Sequence, residues 1–130
     1  MSSSLSMWAS VALGGAAGAS ARYGIAALMV RFMGPNFPWG TLTVNVAGSL
    51  AMGLLIEALA LRFSISPELR VMLVTGFLGG FTTFSAFSLD TANMIERHAY
   101  GPAAAYVLSS VLLSVGALFA GLIIGRAIWA

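Results

Sequence analysis

The chain consists almost entirely of long apolar stretches separated by short polar connections. Four of these stretches reach the length of about 20 residues that an α-helix needs to cross a bilayer. They cover residues 5–33, 41–61, 70–95 and 103–126. The connections carry prolines and glycines, which favour turns, and they leave no room for a domain outside the membrane. The pattern predicts an all-α membrane protein with a single four-helix transmembrane domain over residues 1–130.

The third stretch contains residues that weaken a helix at its middle. Gly79-Gly80 is followed closely by Thr82-Thr83. Backbone groups freed at membrane depth are tolerated only where protein or a water-filled cavity receives them, and interrupted helices are associated with ion sites. We therefore predict that this helix is broken near its middle, between Gly79 and Thr82. The alternative is an unbroken helix whose glycines only allow close packing.

Composition agrees with lipid as the surrounding solvent. Of 130 residues, 59% are hydrophobic and 8% are charged, whereas about a quarter of a soluble domain is charged. The net charge of +2 comes from scattered arginines, so no nucleic-acid partner is expected. The chain has no cysteine, and its single histidine, His98, has no suitable partners for a catalytic triad. We predict that the protein is not an enzyme.

The arginines are divided almost evenly between the two predicted sides of the membrane. Arg62, Arg70 and Arg126 fall on the side of the middle loop and the termini, and Arg31 and Arg97 on the other. An excess of positive charge in cytoplasmic loops normally sets the orientation. The balance predicts that the chain inserts both ways and pairs as an antiparallel, dual-topology homodimer with its site at the interface. One fixed orientation is the alternative.

Polar side chains within the apolar helices indicate a pathway, because such residues are costly in a membrane and are usually functional. The candidates are uncharged hydrogen-bond donors on three helices, two phenylalanines beyond the glycines and one arginine in the first helix: Asn45, Thr83, Tyr106, Ser110, Ser114, Phe84, Phe87 and Arg22. Donors without negative charge and the positive edges of aromatic rings favour an anion. A cation near an entrance would concentrate anions. Taken alone, each residue type is also compatible with ordinary helix packing.

Three segments of the chain resemble the Fluc (CrcB) family of fluoride channels. The segments are Gly14-Gly15-Ala16-Ala17-Gly18-Ala19 through Arg22-Tyr23, Gly40-Thr41-Leu42 through Asn45-Val46-Ala47-Gly48, and Thr75-Gly76-Phe77 through Gly79-Gly80-Phe81-Thr82-Thr83-Phe84-Ser85-Ala86-Phe87. The resemblance spans nearly the whole chain. It implies a dual-topology homodimer in the prokaryotic plasma (inner) membrane, with two antiparallel pores that export toxic fluoride passively from the cytoplasm.

The resemblance also implies roles for individual side chains. Phe84 and Phe87 would present their ring edges to fluoride, and Asn45 would donate its amide to the ion. Arg22 would be a cation in the vestibule. The polar residues of the fourth helix, with Thr83 nearby, would continue the lining of the pore.

A structural sodium ion at the dimer centre is a further implication of the resemblance. Backbone carbonyls at the helix break would hold this ion, and by motif position they would belong to Gly79 and Thr82 of both subunits. Carbonyl oxygens of an interrupted helix suit such a cation.

Two other functions remain as alternatives. Small multidrug exporters are also four-helix, dual-topology dimers, but they resemble one another in an acidic residue within the first helix, where this chain has Arg22. A structural or assembly subunit would carry no ion at all. Replacing Asn45 or the two phenylalanines would then change packing but no flux.

Overall fold

The computed structural model describes residues 3–130, which form helices joined by short turns. The helices are α1 (Ser4–Met33), α2 (Trp39–Leu61), α3 (Pro67–Val71), a π-helical segment (Met72–Leu78), α4 (Gly79–Phe81), α5 (Phe84–Glu96) and α6 (Tyr100–Trp129). No strand occurs among residues 3–130. The predicted all-α fold is confirmed.

By length and composition, three helical stretches of the described chain could cross a membrane. They are Trp39–Leu61, Pro67–Glu96 and Tyr100–Trp129. Helix α1 is 30 residues long but is not among them. It is rich in glycine, alanine and serine and carries Arg22, which makes it less apolar than the others. The structure is that of a membrane protein, and its fourth span stays a prediction.

The outer surface of α6 shows the kind of solvent that the fold requires. Leu112, Phe119 and Ile123 each expose more than half of their side-chain surface. Soluble monomers rarely expose contiguous apolar patches of more than a few hundred Å². A surface of this kind is stable when lipid covers it.

Local sequence explains where several helices begin and end. Ser66 caps α3 by accepting a hydrogen bond from the Leu69 N–H at 3.1 Å, and Pro67 occupies the first helical position. Proline fits there because that N–H has no helical acceptor in any case. Helix α1 ends at Gly34, whose φ of 82° most other residues adopt only with strain.

Glycines bring the helices into backbone contact. A Cβ on Gly14 would collide with the Met72 carbonyl oxygen, and a Cβ on Gly18 would collide with that of Phe77. Helices in lipid associate largely through such close approach, since apolar burial does not hold them together. Helix α1 therefore packs directly on the π-helical segment that precedes the break.

The predicted break is present, but the threonines form it. Thr82 (φ −89°, ψ 158°) and Thr83 (φ −154°, ψ 121°) are extended, whereas Gly79 keeps helical angles (φ −63°, ψ −38°). Gly80 serves packing, as the unbroken alternative supposed, because its Cβ would lie 2.8 Å from the Gly15 carbonyl oxygen of α1. The chain breaks at the end of the predicted interval. The π-helical turns just before it are of a type often found at functional sites.

Candidate ion-binding site at the helix break

Asn45 supports the break from α2. Its Nδ2 donates to the Thr83 carbonyl oxygen at 3.0 Å. The Thr83 N–H donates to Asn45 Oδ1 at 2.7 Å. One side-chain amide thus satisfies both backbone groups of an extended residue, which would otherwise lack partners. The Asn45 amide has a second N–H beyond this pairing, which another acceptor could use.

The break removes the helical donors of several carbonyl groups, among them those of Gly79 and Thr82. In a continuous helix the Thr83 N–H would donate to the Gly79 carbonyl and the Ala86 N–H to that of Thr82, by the i to i−4 rule. The Thr83 N–H instead donates to Asn45. The Ala86 N–H instead donates to Thr83 Oγ1 at 3.1 Å, because Thr83 caps α5. The predicted sodium ligands, Gly79 and Thr82, are therefore the carbonyls that the capping arrangement frees.

Arg22 lies on the other side of the break. Its Nε donates to the Gly80 carbonyl oxygen at 3.0 Å, and its side chain is half-buried. It does not line the cleft that opens beside the break. The structure therefore places this predicted cation against the backbone of the broken helix.

A cleft of about 370 Å³ opens beside the break. Residues of α2, of the broken helix and of α6 line it: Asn45, Gly48, Ser49, Met52, Leu78, Thr82, Thr83, Phe84, Phe87, Ser110, Val111, Ser114, Val115 and Leu118. Among these described lining residues none is charged. Six predicted pathway residues meet here, while Tyr106 and Arg22 lie outside the lining. The apolar wall from α6 was missed, although its members repeat at helical spacing on the face that carries the serines.

Two phenylalanines form one edge of the cleft. The ring centroids of Phe84 and Phe87 are 5.4 Å apart with an interplanar angle of 53°. Phe84 exposes 77% of its surface in the single chain. The row of rings continues from Phe87 to Tyr106, whose centroids are 5.2 Å apart.

Two serines of α6 have buried hydroxyls without a hydrogen-bond partner in the described part of the chain. The side-chain oxygens of Ser110 and Ser114 are buried and have no hydrogen-bond partner within residues 3–130. Both residues line the cleft. A buried hydroxyl without a partner costs on the order of 1–3 kcal/mol. The cleft therefore holds donors that a bound species could satisfy.

Tyr106 lines neither the cleft nor a second cavity, but it contacts one lining residue of each, Phe87 and Asp90. The residue is fully buried, and its hydroxyl donates to Asp90 Oδ2 at 3.0 Å. Asp90 lines a cavity of about 270 Å³ beside the connection between α1 and α2. Sequence reasoning missed Asp90, although it follows Phe87 by three residues and so shares its helix face.

An apolar exterior and an uncharged polar cleft at a helix break define a class of protein, the membrane proteins that move ions or small solutes. The family model described as "CrcB-like protein, Camphor Resistance (CrcB)" matches residues 9–122. The chain therefore belongs to the CrcB-like family, as the resemblance predicted.

Close relatives agree with this assignment. A protein of Chelativorans sp. (strain BNC1) is 59% identical over 118 residues, which cover 91% of this chain and 94% of the relative. One from Agrobacterium fabrum is 54% identical over 116 residues, covering 89% and 93%. One from Caulobacter vibrioides is 54% identical over 121 residues, covering 92% and 95%. Each is named "Fluoride-specific ion channel FluC". The family is one of channels, which confirms the prediction that the protein is not an enzyme.

Proposed function

We propose that the protein is a fluoride channel through which toxic fluoride leaves the cytoplasm passively. The observation that carries the proposal is the pair of buried, unpartnered hydroxyls of Ser110 and Ser114 in a cleft without charge. Desolvated O–H and N–H donors are satisfied by an anion, and an uncharged lining neither repels nor traps it. The names of the relatives support fluoride as this anion.

The proposed pathway follows the side chains that meet at the break. The ring edges of Phe84 and Phe87 and the second N–H of Asn45 would face the ion first. Ser110 and Ser114 would receive the ion along α6. Thr83, at the break between α4 and α5, would line the same cleft. Tyr106, packed against Phe87, would lie further along the same route.

A second copy of the chain would complete the site. Phe84 is mostly exposed and Gly79 is exposed, so one side of the pathway lacks a wall in the single chain. The balanced arginines favour an antiparallel partner. The family resemblance favours the prokaryotic plasma (inner) membrane as its location. Such a homodimer has two symmetric copies of the cleft, hence two antiparallel pores.

The carbonyls of Gly79 and Thr82 fit a structural sodium ion at the centre of this dimer. Both have lost their helical donors, and unwound backbone carbonyls are suitable ligands for Na⁺. Bound there, the ion would supply positive charge that ties the two broken helices together. Purified protein should accordingly unfold at a higher temperature in sodium chloride than in an equal concentration of N-methylglucamine chloride, and equal values would contradict the site.

Fluoride efflux from liposomes tests the function. Purified protein is reconstituted into liposomes loaded with potassium fluoride, and release is started with valinomycin and followed with a fluoride electrode. Liposomes loaded with potassium chloride, followed with a chloride electrode, are the matched control for a non-selective leak. We expect fast fluoride release with little chloride release. No fluoride release from folded protein would overturn the proposal, and proton-coupled export of cations would then be tested.

A further inference from the structure

We propose that Arg22 is a positioning residue that fixes the helix break through its Nε–H, and that its positive charge is not what the channel needs. This proposal deepens the channel function and rests on it for the flux measurement alone. It replaces the expectation that Arg22 attracts anions at an entrance.

The Gly80 carbonyl is a third group that the break leaves without its helical donor. In a continuous helix the Phe84 N–H would donate to it, but Phe84 begins α5 beyond the extended threonines. Arg22 Nε donates to this oxygen at 3.0 Å. The guanidinium therefore takes the place of a backbone donor, and a cation also suits the carbonyl end of a helical segment.

The packing of α1 explains how Arg22 reaches the break. A Cβ on Gly80 would lie 2.8 Å from the Gly15 carbonyl oxygen and 3.2 Å from the Ala19 nitrogen. The backbones of α1 and α4 are thus in direct contact. Arg22 follows Ala19 by three residues, so it lies on the same face of α1.

Two side chains from different helices hold the break from its two ends. Arg22 on α1 binds the carbonyl of Gly80, before the extended residues. Asn45 on α2 binds both backbone groups of Thr83, the second of the two extended residues. Thr82 lies between these two attachments, and its carbonyl direction depends on both.

Location and charge argue against a direct action on the ion. Arg22 does not line the cleft that holds the unpartnered serines. Its Nε contacts the residue next to Gly79, whose freed carbonyl is a proposed sodium ligand. A positive charge there would oppose a bound cation, so the hydrogen bond is the more useful property of the side chain.

A matched pair of uncharged variants separates the hydrogen bond from the charge. In Arg22→Gln the Nε2 donor is as many bonds from Cα as the arginine Nε. In Arg22→Met a methyl group occupies the same position. If the positive charge of Arg22 matters, both variants are impaired equally, because both are uncharged. If the hydrogen bond matters, only Arg22→Met is impaired.

Hydrogen exchange measures the break without any ion flux. The Thr83 and Ala86 amides should exchange about tenfold faster in Arg22→Met, as expected for loss of a hydrogen bond to a charged group. Their exchange in Arg22→Gln should stay close to that of the wild type. This readout remains valid even if the wild-type protein fails to conduct fluoride, which would count against the channel function alone.

Fluoride efflux from liposomes completes the test. We expect Arg22→Gln to conduct at nearly the wild-type rate and Arg22→Met to conduct at least about tenfold more slowly, in proportion to the loosened break. Equal impairment of the two variants, or wild-type behaviour of both, would overturn the proposal. If Arg22→Met does not fold, Arg22→Gln still decides, because its failure to conduct or to protect Thr83 contradicts the role of the hydrogen bond.

Discussion

Replacing Asn45 with alanine should destabilise the break more than any other single change at the cleft. The substitution removes the bond from Nδ2 to the Thr83 carbonyl and the bond from the Thr83 N–H to Oδ1. A buried backbone group that loses its partner costs about 1–3 kcal/mol. Two such groups would cost ~2–6 kcal/mol, and the half-buried position of Thr83 favours the lower half of that range.

The loss should be concentrated at one place in the fold. Thr83 caps α5 through its side chain, and its backbone direction sets that geometry. When Asn45 is absent, the Thr83 and Ala86 amides should exchange faster than those of α2 or α6. Fluoride efflux should fall as well, because Asn45 and Thr83 line the cleft.

Two further variants serve as controls for Asn45→Ala. Asn93→Ala is the same truncation on the exposed part of α5, and we expect it to change stability by no more than about 0.5 kcal/mol. Asn45→Asp keeps an acceptor for the Thr83 N–H but cannot donate to the Thr83 carbonyl when ionised. It should be impaired as well. If Asn45→Ala unfolds like Asn93→Ala and leaves exchange at Thr83 unchanged, Asn45 does not hold the break.

Three other substitutions test the packing and the pathway. Gly18→Ala should lower stability by about 1–3 kcal/mol, because its Cβ would meet the Phe77 carbonyl oxygen and backbone yields poorly. Gly24→Ala is its control: beyond the adjacent backbone of α1, no described atom lies within 4 Å of that Cβ, so equal thermal unfolding of the two variants would contradict the packing. Phe84→Ile should abolish or severely reduce fluoride efflux with little change in stability, since the ring is 77% exposed; normal efflux would remove it from the pathway. Ser110→Ala should slow efflux without lowering thermal stability, because its buried hydroxyl has no described partner. A clear loss of stability would show that this hydroxyl has a hydrogen-bond partner in the folded protein.

Local pattern was enough to find the helices and the chemistry of the site. The apolar stretches lie within the chain segments that form α1, α2, the broken helix and α6, and most of the turn residues lie between these segments. The uncharged donors that meet at the cleft were identified because polar groups are rare in such helices. The two phenylalanines were identified because they follow the glycines and their ring edges are positive. These are properties of single segments, so they can be read without knowing how the segments pack.

The contacts that define the break were decided only by the tertiary structure. Asn45 and Thr83 are 38 positions apart, and Arg22 and Gly80 are 58 positions apart. Spacing along one helix shows which side chains share a face, but it does not show which helix lies opposite. In lipid, apolar burial does not select neighbours either, since every apolar face is equally well covered.

The position of the break depends on both local sequence and tertiary packing. Gly79 and Gly80 are the weakest helix formers of the third stretch, and sequence therefore predicted a break that starts with them. In the structure both remain helical, and Gly80 allows the close approach of α1, since its Cβ would lie 2.8 Å from the Gly15 carbonyl oxygen. Thr82 and Thr83 leave the helix instead, since Asn45 from α2 offers the Thr83 backbone the partners that it loses. The sequence by itself determined that this membrane helix breaks beside uncharged donors, and the packing of α1 and α2 decided which peptide groups are freed to face the site.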